Sequence, residues 1–128
     1  MENKYFTPDI TDIHVGYELE IRQGNMWKSD KVQSNDCFCD FVDMDGYRVP
    51  YLTKEQIEAE GWEFIKHHAG TEHYDFEKNG YSLYVDFDFR GEVYLKIYDG
   101  EQDNEFNYFS GKCKDINIFR KICKLLEI

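Results

Sequence analysis

The chain has 128 residues, a net charge of −11, 17% aromatic side chains and four cysteines. That length and aromatic content support a buried core, so the acidity is displayed on a folded body rather than along a disordered tail. A surface of this sign repels nucleic acid and anionic membranes, and it favours partners with basic surfaces.

The expected organisation is a single domain over residues 1–128, with a β-rich part at 1–50 and a helix, a β-meander and a C-terminal helix at 51–128. Tyr5-Phe6-Thr7-Pro8-Asp9 reads as an extended or turn-like opening. In the run Val15 to Ile21, apolar and charged residues alternate, which predicts a strand with Val15, Tyr17, Leu19 and Ile21 on one face. Gln23-Gly24-Asn25 marks a turn, and Met26 to Val32 a second strand. Ser34-Asn35-Asp36 is another turn, Cys37 to Val42 a third strand, and Asp43-Met44-Asp45-Gly46 a hairpin tip leading to Tyr47-Arg48-Val49.

Thr53 with Gln56 three residues later predicts a capped helix, with Ile57 inward, Gly61 ending it and Trp62 packed behind. From Glu72 to Lys78 the pattern alternates again, and Asn79-Gly80 is a strong two-residue hairpin signal. Pairing Lys78 with Tyr81 sets Phe76 against Leu83 and Tyr74 against Val85. A three-residue Phe89-Arg90-Gly91 loop then pairs Phe87 with Val93, Val85 with Leu95 and Leu83 with Ile97, keeping the apolar sets together. The other face carries Asp75, Tyr84 and Lys96 side by side, then His73, Asp86 and Tyr94, with Asp88 and Glu92 at the end. After the acidic loop 99–104, residues 105–110 add a strand. Asp115 or Asn117 caps a last helix, in which Phe119, Ile122, Cys123 and Leu126 follow helical spacing. Its polar side presents Arg120, Lys121 and Lys124, a basic face that also suits the helix dipole. The fold class is α+β: an antiparallel sheet with a short central helix and a C-terminal helix packed on it. The N-terminal strands fit either an extension of that sheet or a small barrel of their own.

Residues with chemical potential are scattered. His67, His68 and His73, with Cys37-Phe38-Cys39, are the densest set of potential metal ligands, yet their spacing reproduces no zinc site with two ligands in each arm. Two solvated loop histidines and one strand histidine account for the three. Aligning Asp43-Met44-Asp45-Gly46 with a calcium loop puts Phe41 and Leu52 at ligand positions, which excludes it. Asp86 and Asp88 share a face, but two carboxylates alone do not define a cation site. His73 beside Asp86 fits an oriented base, the centre of an alternative reading as a small enzyme or metal-binding protein. Catalytic residues, metal ligands and cofactors are therefore not assigned. The acidic opening Met1 to Ile10 and the short apolar runs imply a cytosolic protein without a membrane span, whose four cysteines are free thiols.

Tyr51-Leu52-Thr53-Lys54-Glu55-Gln56-Ile57-Glu58-Ala59-Glu60-Gly61-Trp62 and the ending Gly111 to Ile122 resemble small uncharacterised acidic proteins of Bacteroidetes phages and prophages. Tyr5 to Ile10 and Val15 to Glu18 are similar to the same group. The resemblance implies a helix, a β-meander and a closing helix. It also implies a non-enzymatic inhibitor or modulator of a host nucleic-acid-handling protein, for example a defence nuclease or CRISPR effector, acting in the host cytosol. The expected contact surface is Asp75, Tyr84, Asp86, Asp88, Glu92 and Tyr94, meeting a basic protein surface rather than free nucleic acid. A virion or assembly component is a further alternative.

Overall fold

The computed structural model describes residues 5–33, 46–99 and 107–128. The chain divides into two compact units, with the boundary between Tyr51 and Leu52. In the N-terminal unit, β1 (Tyr5–Phe6), β2 (Glu18–Gln23), β3 (Met26–Lys31) and β4 (Tyr47–Pro50) form a four-stranded sheet of order β1-β4-β2-β3. This sheet is separate from the C-terminal one. Asp9 starts a 3-10 turn at Ile10–Asp12 by accepting from the Thr11 N–H at 3.0 Å. Ile13, Tyr17, Leu19, Val32 and Val49 make the unit's core.

Strand β2 begins three residues later than the alternation predicts. Gly16, at φ +88°, forms a turn closed by Tyr17 N–H to His14 O at 2.9 Å, and Val15 is left 63% exposed. Across this sheet the Arg48 guanidinium lies 3.6 Å from the Tyr5 ring and 4.1 Å from the Trp27 ring. Its Nε donates to Glu20 at 2.7 Å.

The C-terminal unit contains α1 (Lys54–Ala59), β5 (Glu63–His67), β6 (His73–Lys78), β7 (Tyr81–Phe89), β8 (Glu92–Asp99), β9 (Asn107–Lys112) and α2 (Ile116–Leu125). Its five strands are antiparallel neighbours in chain order. The fold is α+β, as the sequence leads one to expect. Thr53 and Gln56 complete the capping box of α1, and Gly61 at φ +95° follows its end. Asp115 caps α2 by accepting from Ile118 N–H at 2.9 Å.

The β6–β7 register is the expected one, with Tyr74 against Val85, Phe76 against Leu83 and Lys78 against Tyr81. Val85 likewise meets Leu95 and Leu83 meets Ile97. The β7–β8 turn differs from expectation. Arg90 (φ +54°) and Gly91 (φ +80°) form a two-residue turn between the paired Phe89 and Glu92. A bulge then restores the apolar register, with Phe87 and Asp88 lying opposite the single residue Val93. The Asp86 carboxylate supports the bulge by accepting from the Asp88 N–H at 2.9 Å. A turn with two left-handed residues favours Asn or Gly at its first position. Arg90→Asn is therefore expected to stabilise the protein by about 0.5–1 kcal/mol, read as a higher urea midpoint at unchanged slope.

Strand β5 is absent from the sequence reading. It pairs with β6 along the sheet edge and is broken by a bulge between Phe64 and Lys66. Helices α1 and α2 cover one face of the sheet, burying Leu52, Ile57, Phe76, Val85, Leu95, Ile97, Phe119 and Ile122 in a common core with Trp62. Leu126, expected in that core, is only partly buried. The predicted strand at Cys37 to Val42, the tip at Asp43 to Asp45 and the acidic loop after Asp99 lie outside the described residues.

Candidate functional site on the polar sheet face

Period-two alternation gives the sheet a second face, opposite the helices, and the registers fill it in rows. Asp75 pairs with Tyr84 and Tyr84 with Lys96; His73 pairs with Asp86 and Asp86 with Tyr94. Both rows are as expected from the sequence. Ser82 opposite Tyr98 makes a third row and adds a tyrosine that sequence reading did not single out.

The side chains form a connected network. His73 Nε2 lies 3.1 Å from Asp86 Oδ2, and the Tyr84 hydroxyl lies 2.7 Å from His73 Nδ1. One neutral tautomer satisfies both contacts, with Nε2–H donating to the carboxylate and Nδ1 accepting from the phenol. Asp86 is only 8% exposed, and its other oxygen holds the bulge at Asp88. His68 Nε2 lies 3.0 Å from Asp75 Oδ2, so His68 is a member of the network rather than a solvated loop residue. The rings of His68 and His73 stand edge-on to Tyr84 at 6.3 and 5.3 Å. His67 instead stacks on Tyr74 at 4.4 Å, and its Nε2 lies 2.8 Å from Thr71 O.

Burial raises the Tyr84 pKa, and the charges of Asp86 and Asp75 add to the shift. Burial and Asp75 do the same for Tyr98, against a bond from Ser82. Both phenols are therefore harder to ionise than an ordinary tyrosine. The Tyr94 hydroxyl bonds the Ser110 hydroxyl across to β9, and its ring lies 5.1 Å from Phe89.

Asp88 and Glu92 sit exposed at the hairpin end, where Glu92 pairs with Lys112 at 2.7 Å. Lys96 stands within the acidic rows, as the expected register has it, and offsets part of their negative charge. On α2, Lys121 and Lys124 are exposed. Arg120, half-buried beside them, is engaged within the unit. Its guanidinium makes two bonds to Glu60 at the end of α1, at 2.8 and 3.3 Å.

Cys113 and Cys123 are buried free thiols, and burial raises both pKa values. Cys37 and Cys39 lie outside the described residues. Among the described residues, no group of three His, Cys, Asp or Glu side chains is placed to hold a metal ion. No helix among them is long and apolar enough to cross a membrane. Comparison with protein-family profiles, with curated proteins and with solved structures finds no match to this chain.

Proposed function

We propose that the protein is a non-enzymatic, acidic binding protein that inhibits or modulates a host nucleic-acid-handling protein in the host cytosol. Its contact surface is the polar face of the C-terminal sheet. The observation that carries this reading is that Tyr84, Tyr94 and Tyr98 stand in adjacent rows of one sheet face with Asp75, on the face that α1 and α2 leave uncovered, while Asp86 lies beneath them holding His73 and the bulge. Tyrosine supplies large, amphipathic contact area at low entropic cost, and a partly exposed carboxylate such as that of Asp75 suits a lysine or arginine side chain. Both ring nitrogens of His73 are engaged inside the protein.

Because Lys96 and Lys112 offset part of the local charge, the tyrosines contribute most of the affinity. The overall charge of −11 acts chiefly on encounter with a basic partner. Raising salt from about 0.05 to 0.3 M shortens the Debye length to below 8 Å. With a partner captured from a Bacteroidetes lysate and immobilised, the association rate should fall about tenfold while dissociation changes little. Association insensitive to salt would refute the steering role of the acidic surface.

A further inference from the structure

The polar sheet face holds two histidine–carboxylate pairs, His73 with Asp86 at 3.1 Å and His68 with Asp75 at 3.0 Å. The His73 and His68 side chains are 35% and 37% exposed, so both exchange protons with solvent. Tyr84 is common to the two pairs: its hydroxyl lies 2.7 Å from His73 Nδ1, and its ring is edge-on to both imidazoles. Facing His73 are Asp86 and Tyr84 from β7 and the His68 ring, whose centre is 6.4 Å away. Asp75 follows on the same strand as His73, with Lys66 of β5 opposite it. From β8, Lys96 stands opposite Tyr84 and Tyr94 opposite Asp86.

One set of heavy-atom positions serves two arrangements of the hydrogens in this cluster. With His73 neutral, Nε2–H donates to Asp86 and Nδ1 accepts the Tyr84 hydroxyl hydrogen, which leaves the phenol lone pairs free to accept from outside. With His73 protonated, Nδ1–H donates to the phenol oxygen, and the hydroxyl hydrogen turns away from the ring. Protonation thus converts Tyr84 from an acceptor into a donor toward anything docked on the face. It also sets a positive charge against Asp86, and a protonated His68 does the same to Asp75. Both changes oppose the lysine and arginine side chains of a basic partner, which are positive and only donate. Between pH 5 and 8 histidine is the side chain whose charge ordinarily changes. Building on the docking surface proposed above, we infer that His68 and His73 are its proton switch: the face binds a basic partner while both are neutral and releases it as they protonate.

An oligolysine peptide is the probe, titrated at pH 7.5 and 5.5 and followed through the ¹³C signals of Tyr84, Tyr94 and Tyr98. Its affinity should be at least about tenfold lower at the acid pH. In a His68→Gln, His73→Gln variant that difference should shrink to about twofold. A His14→Gln, His67→Gln variant should keep the parent's difference, because His14 lies in the other unit and His67 stacks on Tyr74 away from the network. Without peptide, the Tyr84 Cζ signal of the parent should follow the His73 ring ¹⁵N signals between pH 5 and 8. A Tyr84 signal that ignores His73, or an equal pH dependence in the parent and the His68→Gln, His73→Gln variant, would overturn the switch and leave the docking surface standing. Tyrosine signals that the peptide does not move at pH 7.5 would overturn the docking surface and the switch with it.

Discussion

Replacing Phe119 by alanine should destabilise the C-terminal unit by about 3–5 kcal/mol, the usual range for deleting a buried aromatic ring. Phe119 is fully buried, and its ring centre lies 6.1 Å from that of Trp62 at a tilt of 57°. It joins α2 to the segment that follows α1, inside the same core that receives Phe76, Leu83 and Leu95 from the sheet. Alanine leaves a cavity that a helix capped at Asp115 and tied to Glu60 through Arg120 is poorly able to close. Urea unfolding followed by circular dichroism measures the loss. Phe119→Leu should cost much less, because most of the volume remains. A loss below about 1 kcal/mol for alanine would show that α2 does not close this core.

The second large effect is expected at Asp115. Its side chain is 2% exposed and caps α2 at the Ile118 N–H. Asp115→Ala removes the acceptor from that N–H and should cost about 1–2 kcal/mol. Asn keeps an acceptor oxygen without a charge, so Asp115→Asn should largely preserve the cap. Burial raises the Asp115 pKa above its ordinary value of 3.8, although backbone bonds from Ile118 and Asn117 pull the other way. A carboxyl raised in the folded state binds its proton more tightly than the unfolded chain does. Its contribution is fully present below the unfolded pKa and is lost as pH rises through the folded one. Asp115→Asn does not titrate, so its stability relative to the parent should rise with pH from about 4 upward and then level off. Parallel unfolding at pH 3, 5 and 7 checks this. A relative stability of Asp115→Asn that falls with pH would contradict the sign.

Much of this architecture is legible from local chemistry. The capping box at Thr53, the Asn79-Gly80 turn and the alternation from His73 to Lys78 and from Tyr81 to Val85 each act over a few residues, and each reads correctly. The pairing of His73 with Asp86 followed from register alone. What escaped depends on irregularity or on distance. Strand β5 was missed because the bulge between Phe64 and Lys66 breaks its alternation. The Phe89-Arg90-Gly91 loop was misread because a tight turn plus a bulge gives the same downstream register as one longer loop. His68 meeting Asp75 requires β5 to be in place first. Arg120 and Glu60 stand sixty positions apart, so only helix packing shows that they pair.

The tyrosine-lined polar face of the C-terminal sheet is the proposed docking surface. The most direct test captures partners from a Bacteroidetes lysate with the tagged protein and with a Tyr84→Ala, Tyr94→Ala variant whose fold is checked by circular dichroism. A Lys121→Gln, Lys124→Gln variant runs in parallel, with recovered proteins quantified by mass spectrometry. The expected result is one nucleic-acid-handling protein recovered by the parent and by the lysine variant, and reduced at least about tenfold by the tyrosine variant, the effect of losing aromatic anchors. Equal recovery by all three, or loss only with the lysine variant, would contradict the assignment.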